Sequence, residues 1–189
     1  MTNAPVRGAS VESGERTRLF CALDLPDDAR RVVSAWAGKS LGGRGRLVPA
    51  ANLHITLAFL GHRPVGEVPA IAAELRAVSA AALPVRLQPL RYRQTRSVGM
   101  IVLEDLEGAA TALADDLHGR LERLGVYRRE SRPWLPHVTV LRRPERGGDR
   151  PDLANTCSIH VVRSALYRSS LAPSGARYDA LETAALGGT

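Results

Sequence analysis

The chain spells one short phrase twice, Leu53-His54-Ile55-Thr56-Leu57-Ala58 and Pro136-His137-Val138-Thr139-Val140-Leu141, with the two histidines 83 residues apart. The alternation in both predicts a strand on which the His ring and the Thr hydroxyl two places on share one face. Two such strands facing each other would set two imidazoles and two hydroxyls around one cleft. The phrase recurs within comparable strand and helix surroundings, as expected of two pseudo-equivalent lobes that each give one sheet to a shared cleft.

The remaining pattern predicts an α+β chain. Thr17 to Leu23 reads as a buried strand, followed by a helix that starts near Pro26, Asp27 and Asp28 and carries Ala29, Val32, Val33, Trp36 and Ala37 at helical spacing. A strand from Leu53 to Leu60, ended by Gly61, precedes a helix over about Val65 to Ala81. Strands at Val85 to Arg91 and Val98 to Leu103 form a hairpin. A third helix runs from Leu106 to Gly125, with Leu113, Leu117 and Leu121 on one side. His137 to Leu141 is the second His strand, and a polar loop follows it from Arg142 to about Asn155. Two closing strands, Ser158 to Tyr167 and Arg177 to Ala184, flank a Pro173-Ser174-Gly175 turn. The expected organisation is a disordered tail at 1–15 and a single domain at 16–189.

Charge narrows the partners. A formal charge of +7 favours a polyanion. Yet Lys39 is the only lysine among 26 basic residues, so arginine usage is a general bias and position must decide which arginines matter. The clusters Arg91, Arg93 and Arg96, then Arg128, Arg129 and Arg132, then Arg142, Arg143, Arg146 and Arg150 are expected to steer such a polyanion through phosphate contacts. Cys21 and Cys157 lack any metal or redox spacing and read as buried thiols. There is no apolar run of membrane-spanning length and no signal-peptide pattern, so a cytoplasmic location and a monomer without protein partners are expected.

Two histidines suit acid-base work on a cyclic phosphodiester. One neutral imidazole takes a proton from water and one imidazolium gives a proton to the departing ribose oxygen, both near an ordinary pKa of about 6.5. Hydroxyls of Thr56 and Thr139 and a guanidinium would meet the charge on the phosphate oxygens, and Arg142 is the arginine best placed for this. No carboxylate lies near either His phrase as a metal ligand, and no Gly-rich phosphate loop or lysine nucleophile motif is present. His62 reads as a loop residue, while His118 and His160 receive no role.

These residues carry a resemblance. His54-Ile55-Thr56-Leu57-Ala58-Phe59-Leu60-Gly61 and Pro136-His137-Val138-Thr139-Val140-Leu141-Arg142 resemble the paired motifs of the 2H phosphoesterase superfamily, and more narrowly the bacterial RNA 2′,3′-cyclic phosphodiesterases, also called 2′-5′ RNA ligases. Arg18 to Pro26, Leu166 to Leu171 and Gly175 to Tyr178 resemble that family's opening and closing strands. The resemblance covers roughly Arg16 to Leu186. It implies a bilobal α+β fold with two antiparallel sheets and flanking helices about a pseudo-twofold cleft. It also implies hydrolysis of an RNA 2′,3′-cyclic phosphate end, or of a cyclic nucleotide, to a 2′-phosphate, without metal or other cofactor. By the same resemblance His54 is the general acid, His137 the general base, and Thr56, Thr139 and Arg142 hold the phosphate. Trp134 and Phe59 are candidate base contacts, with packing beneath the strand as the competing role for Phe59. Two other functions fit the same residues: ATP-independent 2′-5′ ligation at one site, and a non-catalytic basic RNA-binding module.

Overall fold

The computed structural model describes residues 15–143, 151–153, 156–172 and 175–187. Residues 1–14 of the tail expected at 1–15, together with Arg146, Arg150 and the Pro173-Ser174 part of the last turn, lie outside the described residues, while Glu15 accepts a hydrogen bond from the Val65 N–H at 2.9 Å. In chain order the elements are β1 (Arg16–Asp24), α1 (Asp27–Leu41), β2 (Arg46–Leu47), β3 (His54–Pro64), α2 (Val68–Ala81), β4 (Val85–Gln94), β5 (Val98–Glu104), α3 (Ala109–Arg123), β6 (His137–Arg142), β7 (Ile159–Val161), β8 (Arg163–Ala172) and β9 (Gly175–Ala185).

The helices form where apolar residues recur at helical spacing. In α1, Pro26 stands at the N-cap, Asp27 and Asp28 complement the positive helix end, and Ala29, Val33, Trp36, Ala37 and Leu41 are buried. Trp36 also donates from Nε1 to the Asp152 carbonyl at 2.8 Å. Helix α2 buries Ile71, Ala72, Leu75 and Val78 and packs on β8 and β9, joined there by a buried Ser79 Oγ to Ser164 Oγ hydrogen bond of 2.7 Å. Helix α3 buries Ala110, Leu113, Ala114, Leu117, His118 and Leu121 against β3 and β4. It begins later than the sequence suggests: Leu106 lies ahead of it, largely exposed. One continuous apolar cluster joins the three helices to the strands, and each fully buried Leu or Ile in it contributes roughly 1.5–3 kcal/mol of transfer free energy.

The strands pair antiparallel in the order β7-β4-β5-β6-β3-β1-β8-β9, with β2 added beside β6. The His strands β3 and β6 meet at the middle of this order through one register pair, Ile55 with Val138. On one side lie β1, β8 and β9, and on the other β5, β4 and β7. The expected single strand at Ser158 to Tyr167 is two strands. Val162 separates β7, which pairs with β4, from β8, which pairs with β1. Because these neighbours in sequence stand near opposite ends of the order, the sheet curls. The Leu186 N–H closes the junction by donating to the Val162 carbonyl at 2.8 Å.

Gly61 does not end β3. Its φ of 68° is left-handed, which glycine adopts without strain, and the pairing with β1 skips Leu60 there, so the strand bulges and continues to Pro64. His62 is therefore an exposed strand residue. Cys21 is buried as expected, whereas Cys157 is only partly so.

Candidate active site

The two His phrases are held alike. His54 Nδ1–H donates to the Asn52 carbonyl at 2.8 Å, and His137 Nδ1–H donates to the Leu135 carbonyl at 2.8 Å. In each case the acceptor is the residue two positions earlier, so Nδ1 carries a hydrogen in both rings and Nε2 is the nitrogen left for proton transfer. His54 Nε2 accepts from the Thr56 hydroxyl at 3.1 Å. The β3 pattern leaves His54 and Thr56 half-buried around buried Ile55, and β6 does the same with His137 and Thr139 around buried Val138.

A bulge follows the threonine in both strands. Thr56 pairs with Ala22 and Ala58 with Cys21, so Leu57 is the extra residue of β3. Thr139 pairs with Met100 and Leu141 with Gly99, so Val140 is the extra residue of β6. Each bulge shifts the face of everything beyond it by one position. A residue five places after a histidine would otherwise point away from it. Here Phe59 returns to the face of Thr56 opposite Phe20, and Arg142 returns to the face of Thr139 opposite Val98. Phe59 is 50% exposed, which removes packing beneath the strand as its role.

The surroundings of the two rings differ. His54 lies against Phe20, with centroids 4.8 Å apart, and receives the edge of Tyr178 at 5.3 Å. Burial pushes its pKa down to about 4, with the positive charges of Arg142 and His137 adding to the effect, while the Asn52 hydrogen bond and Asp24 oppose it. Asp24 itself is buried, accepting from Arg163 Nε at 2.9 Å and from the Tyr167 hydroxyl. His137 instead opens onto a cavity of about 860 Å³ that also reaches Thr56, Phe59, Arg93 and Trp134.

Trp134 is half-buried and its Nε1–H donates to the Thr56 carbonyl at 3.0 Å. His118, given no role by the sequence, is 3% exposed and shares a 2.8 Å hydrogen bond between Nε2 and the carbonyl of the bulged Leu57. Tyr127 stacks on it at 4.9 Å. Both carbonyls belong to the stretch where β3 has left β6, so side chains replace the missing strand as hydrogen-bond donors. A polar helix segment gives no sign of such a partner. The aromatic wall of Phe20 and Tyr178 was also missed, although Tyr178 stands in a segment that carries the family resemblance. Among the described residues no three His, Cys, Asp or Glu side chains converge as a metal site.

Comparison with known proteins decides the family. The model of the 2′-5′ RNA ligase superfamily matches residues 25–154. The chain belongs to that superfamily. Among its relatives, the RNA 2′,3′-cyclic phosphodiesterase of Escherichia coli K12 is 30% identical over 174 residues, covering 91% of this chain and 98% of the relative. The Thermus thermophilus protein of the same name is 30% identical over 182 residues, covering 90% and 91%. The crystal structure of E. coli LigT complexed with 3′-AMP matches 91% of this superfamily member and 99% of LigT at 29% identity, with a TM-score of 0.76. A Thermus thermophilus structure, TT0787, gives a TM-score of 0.76 at 31% identity, over 90% of this chain and 98% of its own. The α+β fold with a curled antiparallel sheet and three helices is thus shared. No helix among the described residues is long and apolar enough to cross a membrane.

Proposed function

We propose that this protein hydrolyses RNA 2′,3′-cyclic phosphate ends to 2′-phosphate ends by a two-histidine, metal-independent acid-base reaction within one chain. The observation that carries the proposal is the matched anchoring of both rings, Nδ1 to a backbone carbonyl two residues back, which leaves two Nε2 atoms to handle protons. The names of the E. coli and Thermus relatives support the substrate class. Strand β3 with β1, β8 and β9, and strand β6 with β5, β4 and β7, act as two lobes about a pseudo-twofold cleft.

The cyclic phosphate lies between the rings. His137 Nε2 takes a proton from water as the water oxygen bonds to phosphorus, the P–O3′ bond breaks, and His54 Nε2–H delivers a proton to O3′, leaving the phosphate on O2′. Thr56, Thr139 and Arg142 stabilise the charge on the non-bridging oxygens. In the free protein His54 is neutral at pH 7, since its pKa is near 4. The incoming anion offsets the positive charge of Arg142 and raises that pKa, so substrate binding itself charges the acid. The Thr56 hydroxyl, released from Nε2 when the ring protonates, then turns to the phosphate.

The test is turnover of a short RNA ending in a 2′,3′-cyclic phosphate, in EDTA, by wild type, His54→Ala and His137→Ala. Formation of 2′-phosphate by wild type, with losses of about 10²- to 10⁴-fold in either variant, is the expected result. No turnover by wild type, turnover abolished by the chelator, or variants that bind and react normally would each refute it.

A further inference from the structure

Phe59 is the feature that the hydrolytic reaction does not use. It stands five residues after His54, the offset that Arg142 keeps from His137, and the same kind of bulge brings it to the cleft face. A large aromatic ring left half-exposed on that face calls for a ligand surface. The Arg18 guanidinium lies over the ring, 4.8 Å from its centroid. Arg18 shares the face because it stands two residues before Phe20 on β1. Phe59 is also one wall of the cavity that holds His137 and Thr56, and Arg93 is part of the same lining. Arg129 and Arg132, in contrast, are engaged by carboxylates, Arg129 by Asp115 at 3.2 Å and Arg132 by Glu130 at 2.6 Å. Among the described residues Arg93 forms no ion pair.

Distance assigns the ring to a nucleotide. Trp134 donates to the Thr56 carbonyl and lines the same cavity as Thr56 and His137, at its catalytic end. Phe59 lies three residues farther along β3, up to about 10 Å at strand spacing. The cavity, at about 860 Å³, falls near the top of the range of about 300–1,000 Å³ for ligand sites.

We infer that Phe59, backed by Arg18 and sharing its cavity with Arg93, is a second subsite that stacks the base of the nucleotide preceding the cyclic-phosphate end, so the preferred substrate is an oligonucleotide. The inference rests on the cyclic-phosphate reaction proposed above. Stacking on an aromatic ring tolerates any base, so the subsite selects chain length rather than sequence.

The experiment compares kcat/KM for three substrates: a trinucleotide ending in a 2′,3′-cyclic phosphate, the same trinucleotide abasic at the penultimate position, and a nucleoside 2′,3′-cyclic monophosphate. Wild type is expected to prefer the intact trinucleotide over the abasic one by about tenfold or more. Phe59→Ala should lose that discrimination and Phe59→Trp should keep it. A wild type indifferent to the missing base, or a Phe59→Ala variant that discriminates as wild type does, would overturn the subsite. A wild type that turns over none of the three would instead refute the proposed reaction.

Discussion

The His54 and His137 strands share a phrase, a backbone anchor and a bulge, and they differ in what stands behind the ring. His54 is enclosed by Phe20 and Tyr178, with a pKa near 4, whereas His137 faces an open cavity. At the fifth position after the histidine one half carries Phe59 and the other Arg142. Repetition of a motif therefore fixes geometry, while the neighbouring strands decide how each copy behaves. In the proposed reaction this difference separates acid from base.

The largest expected effect tests whether the halves are one machine. If they are, the His54→Ala/His137→Ala double variant should be hardly slower than the worse single variant, because residues that act as a unit are strongly non-additive. Losses that multiply in single-turnover assays would break the comparison. Next comes Arg142→Ala, expected to lower kcat by about 10²- to 10³-fold. By removing a nearby positive charge it should also raise the His54 pKa above its wild-type value in an NMR titration. An unmoved pKa would mean that Arg142 does not reach across to the other half.

His118→Ala should destabilise the fold by about 2–4 kcal/mol in urea unfolding, since it leaves a void and an unsatisfied Leu57 carbonyl at the β3 bulge. Because β6 has no such histidine behind its bulge, a comparable loss from any single residue there would weaken the contrast. The smallest effect is acid sensitivity. The folded His54 pKa lies below its unfolded value of 6.5, so the unfolded chain binds a proton first as pH falls. Stability is full above pH 6.5, declines between 6.5 and 4, and levels off below 4, by of the order of 2 kcal/mol with solvent screening allowed for. His54→Gln should flatten this slope; an equal slope in both proteins would show that His54 is not the cause.

The helices and the His strands are legible in the sequence because periodicity is a local property. Ala29, Val33, Trp36 and Ala37 appear on one face in the sequence and are buried together in the fold. Bulges are not local. The extra residues Leu57 and Val140 exist only relative to β1 and β5, so simple alternation would turn Phe59 and Arg142 away from the face of the histidines. For Arg142 its place at the strand end, five residues after His137, and the family resemblance supply what alternation misses. The split at Val162 is hidden for the same reason, since Ser158 to Tyr167 reads as one strand until its two partners are known. Gly99 lies on β5 so close under Tyr92 that a Cβ there would collide with the phenol, a constraint that emerges only when β4 and β5 pair.

The strand order has a consequence for how the molecule is made. β4, β5, β6 and β7 come from one stretch of chain, 85–161, so the His137 half has all its strands before β8 is synthesised. The His54 half waits for the last strands, because β1 needs β8 as its second neighbour and Tyr178, which closes on His54, lies on β9. During translation the two rings therefore come under tertiary control at different times, His54 only after β8 and β9 have been made.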